Sequence, residues 1–292
     1  MKRGAPRADG PAPGGELSAE DFERFRDYFY RTTGIYFDDR KRSWVGRCLR
    51  QRMEAQGLPW FGDYFRVLRL ADGGSELNHL VSCLTVNETY FYREVYQLRC
   101  LVESILPELR AEKPASEPVR IWSIPCSTGE EPYSIAIHLL EEWAEVDDVQ
   151  VEIYASDIDR AALEQAKTGE YTGYTLRNLA PRLLRRYFQA SGSEGYQLCR
   201  PLREAVELRP GNLVDPAVLE DLPPFDVIFC RNLLIYFDDR SRRLAAQNLF
   251  DALRPGGFVL LGHAESMSRI SSLFRVRHFP QAFAYQKPLE TS

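Results

Sequence analysis

Between Ser18 and Gly34 the apolar positions Phe22, Phe25, Tyr28 and Phe29 recur at helical spacing. Ser18, three residues before Asp21, gives that stretch a capping-box start, and Gly34 gives it a stop. "DRKRSWVGRCLRQRMEAQG" repeats the helical period, with Val45, Leu49 and Met53 on one stripe, and "WFGDYFRVLRL" and "SELNHLVSCL" suggest two further helices. Residues 18–109 therefore read as a small all-helical module. The pattern changes at the polar, Pro-containing "AEKPASEPVRIWSI". From there apolar β-type runs alternate with helical ones: "RIWSI", "EEPYSIAIHLLEEW", "VQVEIYASDID", "DRAALEQAKTG", "FDVIFC", "RSRRLAAQNLFDAL" and "GGFVLLG". Such alternation predicts an open, mostly parallel sheet with helices on both faces. "FRVRHFPQAFAYQK" looks like two strands with no helix between them, hence a mixed edge. From about Glu170 to Leu208 the alternation is interrupted by short helices and a hairpin-type insert.

Composition changes this picture little. The first 17 residues are too rich in Pro and Gly and too poor in apolar residues for a signal peptide, and read as a disordered tail. No run is long and apolar enough to predict a membrane span. A formal net charge of -5 argues against bulk nucleic-acid binding. The six cysteines are scattered, with no C-x-x-C and no paired His spacing, so reduced thiols of a cytosolic protein are expected and a metal site is not.

Candidate chemistry gathers at the predicted strand ends, where open α/β sheets bind ligands. "CSTGEEP", "SDID", "CRN" and "GHAES" fall there, and "NLVDP" follows the run "VELRP". Asp157 stands where a ribose-binding acid sits in a Rossmann-type unit; the alternative is a helix N-cap, which Asp159 could equally provide. The first loop carries one glycine, Gly129, where a dinucleotide fingerprint uses several so that backbone approaches pyrophosphate. Glu130 and Glu131 would repel that group, which disfavours NAD, FAD and ATP. A ligand with a ribose, a positive charge and no phosphate fits better, and S-adenosylmethionine has that chemistry. Both glutamates also complement a positive helix N-terminus, a compatible reading. Arg231 and Asn232 are polar at the tip of a buried strand, which core packing does not require. Tyr236 is either near the reacting group or ordinary aromatic packing. His263 reads better as a strand-end residue than as a base.

"NETYFYRE", "IWSIPCSTGEEPYSIA", "YASDID", "FDVIFCRNLLIYFD" and "GGFVLLGHAES" stand in this order and together resemble the CheR family, the chemoreceptor glutamate methyltransferases of bacterial chemotaxis. With the helical module, the likeness runs from about Ser18 to Lys287. It implies a Rossmann-like α/β sheet dependent on S-adenosylmethionine, an all-helical N-terminal domain at 18–109, a methyltransferase domain at 110–292 and a small β-subdomain inserted at about 170–208. It also implies cofactor contacts through Asn87, Thr89, Arg93, Glu131 and Asp157, with Asn212, Leu213, Arg231 and Asn232 near the adenosine. Arg93 and Tyr236 match family positions close to the transferring methyl.

The substrate implied is a glutamate on the cytoplasmic helices of a chemoreceptor. Receptor helices of this kind are acidic, which gives meaning to Arg40, Lys41, Arg42, Arg47, Arg50 and Arg52, a run without an acid, as a docking surface; the alternative is a solvated helix face. Some family members grip a receptor's C-terminal peptide through a glycine-containing loop of the β-subdomain. Here "FQASGSEGYQL" is short and has no basic residue in the loop, which argues against such tethering. Two other readings are methyl transfer to a protein of a non-chemotaxis signalling system and a non-catalytic module that senses S-adenosylmethionine.

Overall fold

The computed structural model describes residues 17–70, 74–114, 116–192 and 195–289. The expected tail lies, but for Leu17, outside the described residues. The chain divides into two compact units, Met1–Val86 and Asn87–Ser292.

The first unit is helical: α1 (Ala19–Thr33), α2 (Arg42–Ala55), α3 (Phe61–Leu70) and α4 (Ser75–Leu84). Ser18 caps α1 by accepting from the Asp21 N–H at 3.0 Å, and Gly34 ends it in the left-handed conformation. Phe22, Phe25 and Phe29 are buried, and the Phe29 ring stacks on Phe37 at 5.4 Å. Val45 and Leu49 of α2 are buried as the stripe predicts, whereas Met53 is only half-buried.

The second unit begins earlier than the expected boundary at Leu109. A helix runs from α5 (Val95–Cys100) through a π-helical turn, Leu101–Ile105, into α6 (Leu106–Glu112). Its Leu98, Leu101, Ile105 and Leu109 are buried in the same core as Ile121, Ile137 and Phe229, so this helix belongs with the sheet. There follow β1 (Val119–Ser123), α7 (Glu130–Glu142), β2 (Val151–Asp157) and α8 (Arg160–Thr168). Next come β3 (Glu170–Thr172), α9 (Pro181–Tyr187), β4 (Phe188–Ser191), β5 (Gly195–Leu198) and α10 (Arg200–Glu204). β6 (Val206–Pro210), β7 (Phe225–Cys230), α11 (Asp239–Ala252), β8 (Leu253–Leu261), β9 (Arg275–His278) and β10 (Phe283–Gln286) complete the unit.

The large sheet has the order β6-β2-β1-β7-β8-β10-β9. Its first five strands are parallel, and β10 pairs antiparallel with β8 and β9, giving the expected mixed edge. β3, β5 and β4 form a separate antiparallel sheet. The insert ends sooner than its expected limit at Leu208, because Val206–Pro210 joins the main sheet beside β2. Chain order reverses between β1 and β7, and at such a switch point the carboxyl ends of the two strands open a crevice. At the opposite, amino end of β7, buried Asp226 accepts from Lys113 Nζ and the Arg120 N–H, both at 2.7 Å, and pairs with Arg254. That end is closed by charge pairing, which leaves the carboxyl ends as the open side.

Candidate active site

The loop from β1 into α7 sets the site's shape. Gly129 has φ +93°, and a Cβ there would lie 2.8 Å from the Tyr133 ring, so glycine is required. Ser127 is held at φ +48° and donates its N–H to Asp157 Oδ2 at 2.7 Å. Asp157 Oδ1 accepts from the Asp159 N–H at 2.8 Å. The cap of α8 is Asp159, which accepts from Ala161 and Ala162, so Asp157 is not needed there. Burial pushes the Asp157 carboxyl up to about 6, against the two backbone donors that favour its charge. A carboxylate has about four lone-pair sites, so Asp157 retains capacity for two further donors.

Asn87 closes one side, donating Nδ2–H to Asp159 Oδ2 at 2.9 Å and accepting from Ser127 Oγ at 3.2 Å. Thr89 is half-buried in the same segment. Beyond β6, the Gly211 N–H donates to the Asp157 carbonyl at 3.0 Å, which brings Asn212 and buried Leu213 to the Asp157 side; Asn248 Nδ2 fixes the Leu213 carbonyl at 2.8 Å.

The other side is a charge cluster. Glu131 Oε1 accepts from Ser123 Oγ at 2.7 Å, and Oε2 meets Arg231 Nη1 at 3.0 Å. Arg231 Nη2 donates to the Arg93 carbonyl at 2.8 Å and lies 3.4 Å from Glu94 Oε2. Burial pushes Glu131 up despite the Arg231 charge, whereas at Glu94 the Arg231 and His263 partners outweigh burial and hold the carboxyl below its usual range. His263 is occupied with Glu94 at 2.9 Å, consistent with a strand-end role. Glu130 is fully buried beside Thr128 Oγ1 at 2.6 Å, and burial pushes its carboxyl up to about 7. Only Glu131 of the acidic pair therefore joins the cluster.

Arg93 donates to the Glu88 carbonyl at 2.7 Å, and its charge acts on both Glu131 and Tyr236. Tyr236 is 38% exposed on the turn after β7, and burial raises its phenol, keeping it a donor. Asn232 is held at φ +58°, where its N–H donates to Glu265 Oε2 at 2.7 Å. The same Glu265 accepts from Leu234 and Gly262 at 2.7 and 2.8 Å and so shapes the whole turn.

Glu94, Ser127, Asp159 and Glu265 are organising residues to which sequence reasoning gave no site role. The signal for Ser127, Asp159 and Glu265 was membership of the quoted strand-end motifs, and for Glu94 membership of "NETYFYRE". Four of the five positive-φ non-glycine residues among those described, Tyr92, Glu94, Ser127 and Asn232, lie in the segments that carry the site. Strain of that kind persists where the surroundings over-determine it and is concentrated at functional sites.

The donor set matches the chemistry of S-adenosylmethionine. Two carboxylates, Glu94 and Glu131, flank one guanidinium, Arg231, and a third, Asp157, is buried with acceptor capacity to spare. The excess of negative charge repels a pyrophosphate and suits a sulfonium and an ammonium. Buried Arg231 Nε has no partner among the described residues, leaving one donor for a carboxylate or ring nitrogen. The residues fit.

Comparison with known proteins agrees. Residues 87–283 match the family model "CheR methyltransferase, SAM binding domain", and residues 20–85 match "CheR methyltransferase, all-alpha domain". The chain belongs to the CheR methyltransferase family. It is 48% identical to chemotaxis protein methyltransferase 2 of Vibrio cholerae over 93% of this chain and 94% of that one. Identity is 34% to chemotaxis protein methyltransferase 1 of Pseudomonas aeruginosa, over 88% and 93% of the two chains. It is 35% to the chemotaxis protein methyltransferase of Escherichia coli, over 89% of each. As a CheR protein, the chain is an S-adenosylmethionine-dependent methyltransferase, with the cofactor domain in its second unit.

In the first unit the basic run divides. Arg52 is not available for docking: its Nε and Nη2 clamp buried Glu76 at 2.9 and 2.8 Å, beside the Tyr64 hydroxyl at 2.6 Å. The run brought it in because spacing alone does not reveal the acid 24 residues away. Arg40 pairs locally with Asp38 at 2.6 Å, and Lys41 lies over the Trp44 ring. Arg42 and Arg50 are half-buried and Arg47 is exposed.

Proposed function

We propose that this CheR protein methylates glutamate side chains on the cytoplasmic helices of chemoreceptors, forming methyl esters, and that it works in the cytoplasm. The observation that carries the reading is the chemistry of Arg93 and Tyr236, the Arg93 charge lying close enough to act on the Tyr236 phenol. Both are hydrogen-bond donors, a guanidinium and a phenol kept protonated by burial, and neither is a base. An acceptor that must lose a proton is poorly served by such a pair. A glutamate, ionised at neutral pH with a reference pKa of about 4.3, needs only to be oriented.

S-adenosylmethionine, when bound, would supply an electrophilic methyl whose C–S electron pair leaves on sulfur as an acceptor carboxylate oxygen forms the C–O bond. Asp157 accepts from the ribose hydroxyls. Glu131, steadied by Ser123 and Arg231, complements the positive amino-acid end. Asn87 and Thr89 would border the cofactor, and Asn212, Leu213, Arg231 and Asn232 would hold its adenosine side. Arg93 and Tyr236 align the acceptor carboxylate, so positioning supplies most of the rate. Too tight a pairing with Arg93 would blunt the nucleophile, and the bond of Arg93 to the Glu88 carbonyl tempers it. Arg42, Arg47 and Arg50, with Arg40 and Lys41 beside them, form the receptor-docking face. The names of the relatives, all chemotaxis protein methyltransferases, support the pathway.

The test is mass spectrometry of a receptor cytoplasmic fragment co-expressed with this protein. Methyl groups on glutamates that alkali removes as methanol are expected. An unmodified fragment, with cofactor bound by the enzyme, would exclude the receptor as substrate.

A further inference from the structure

Beside the Tyr236 turn lies a cleft of about 360 Å³ whose walls include Ile235, Arg242, Arg243, Ser266, Arg269 and Ile270. Three guanidinium groups face two carboxylates there, and both carboxylates are engaged. Asp239 lies 3.4 Å from Arg242, and Glu265 gives its oxygens to the N–H groups of Asn232, Leu234 and Gly262. Arg242 is also tied to the Leu234 carbonyl at 3.0 Å. Arg243 and Arg269 are exposed, with no hydrogen-bond or ion-pair partner among the described residues. The net effect is an outward-facing positive surface. Ile235, 47% exposed, and Ile270 give the same cleft an apolar side.

We propose that this cleft receives an acidic, amphipathic helical segment of the methyl-accepting protein, next to the glutamate being methylated. The inference rests on the function proposed above and adds a second contact surface, in the methyltransferase domain itself. Continuity argues for it: Ile235 lines the cleft, and the next residue, Tyr236, lies within the field of the Arg93 charge. A carboxylate aligned at Tyr236 brings its flanking residues to Arg243 and Arg269. On a helix, residues three and four positions away lie about 5–6 Å off on the same face. Acidic residues there would meet the guanidinium groups, and apolar residues between them would meet Ile235 and Ile270. Charge complementarity selects an acidic helix over a neutral or basic one.

The test measures binding of a fluorescent peptide copying an acidic receptor methylation helix, using the full chain with S-adenosylhomocysteine bound. Arg243→Glu/Arg269→Glu is expected to weaken binding about tenfold or more, since each reversal replaces attraction with repulsion. Arg243→Lys/Arg269→Lys should stay within about threefold, and added salt should weaken the wild type more than the Glu variant. Calorimetry with S-adenosylhomocysteine alone checks that the cofactor site of each variant is intact. Equal peptide affinity in wild type and Glu variant would overturn the cleft. Cleft-dependent binding that yields no methyl ester on the peptide when S-adenosylmethionine replaces S-adenosylhomocysteine would instead sink glutamate transfer and leave the cleft standing.

Discussion

Arg231 Nη1 lies 3.0 Å from Glu131 Oε2, joining the end of β7 to the first turn of α7 across the crevice. The guanidinium is 4% exposed and also serves Glu94, so one cation compensates two acids. Removing it leaves the half-buried Glu131 with only the Ser123 hydroxyl, and Glu94 with only His263 and Tyr96. Such losses cost about 3–5 kcal/mol. Arg231→Met should therefore lower the melting temperature, and Arg231→Met/Glu131→Gln should recover part of it. Thermal unfolding of the three proteins checks this; equal melting temperatures would mean that the pair does not hold the crevice.

Asp157 carries the ribose prediction. Its carboxyl is pushed up to about 6 by burial, and hydroxyl donors from a ligand favour the ionised form. Cofactor binding should therefore weaken as pH falls through about 6. Asp157→Ala should weaken it about 10–100-fold, the range expected for hydrogen bonds to a charged group. Calorimetric titration with S-adenosylhomocysteine between pH 5 and 8 reads both effects. A flat profile in the wild type, or unchanged affinity in the variant, would remove the ribose role.

Glu265 holds the N–H groups of Asn232, Leu234 and Gly262, and Asn232 sits at φ +58°. Glu265→Ala should cost about 2–4 kcal/mol, because buried donors lose their acceptor. It should also lower kcat, since the turn that carries Tyr236 loses its anchor. Urea unfolding and single-turnover kinetics distinguish this from a stability effect alone.

The alternation of strands and helices was legible because each buried strand is an apolar run and each helix an amphipathic stretch. The strand-end motifs were legible because packing gives no reason for polar residues there. The start of the second unit at Asn87 was not. Leu98, Leu101 and Leu109 have the period of any amphipathic helix, and nothing local says which core they enter. Long-range pairing was equally hidden: Arg231 with Glu131 lies 100 residues apart, and Arg52 with Glu76 lies 24 apart. The division between Glu130 and Glu131 follows from their places in the first turn of α7, one toward Thr128 and the other toward Ser123.

Glu130 sets a pH dependence of folding. Its carboxyl stands at about 7 in the folded chain against 4.5 for an ordinary glutamate, because burial penalises the charge. The unfolded chain therefore loses its proton first. The stability contribution is complete below pH 4.5 and is lost as pH rises through about 7, for a total of about 3 kcal/mol at most. Glu130→Gln keeps an acceptor for Thr128 and removes the titration. The variant should match the wild type near pH 5 and exceed it near pH 8 in urea unfolding. Parallel curves at both values would show that Glu130 ionises without cost.

Arg52 and Arg47 separate folding from docking within one helix. Arg52 closes two bonds on Glu76, whose carboxyl those bonds and the Tyr64 hydroxyl hold below its usual range in spite of burial. Arg52→Ala should therefore cost about 3–5 kcal/mol in the first unit, the cost of stranding a buried charge. Arg47 is exposed on the same helix with no ion-pair partner among the described residues. Arg47→Ala should leave the melting temperature unchanged and raise KM for a receptor fragment a few-fold, with the effect fading at high salt as exposed charges are screened. Arg52→Ala should fail the first measurement whatever its KM. Were Arg47→Ala to leave KM unchanged at low salt, the basic face would be only a solvated surface, and recognition of the acceptor would fall to the methyltransferase domain.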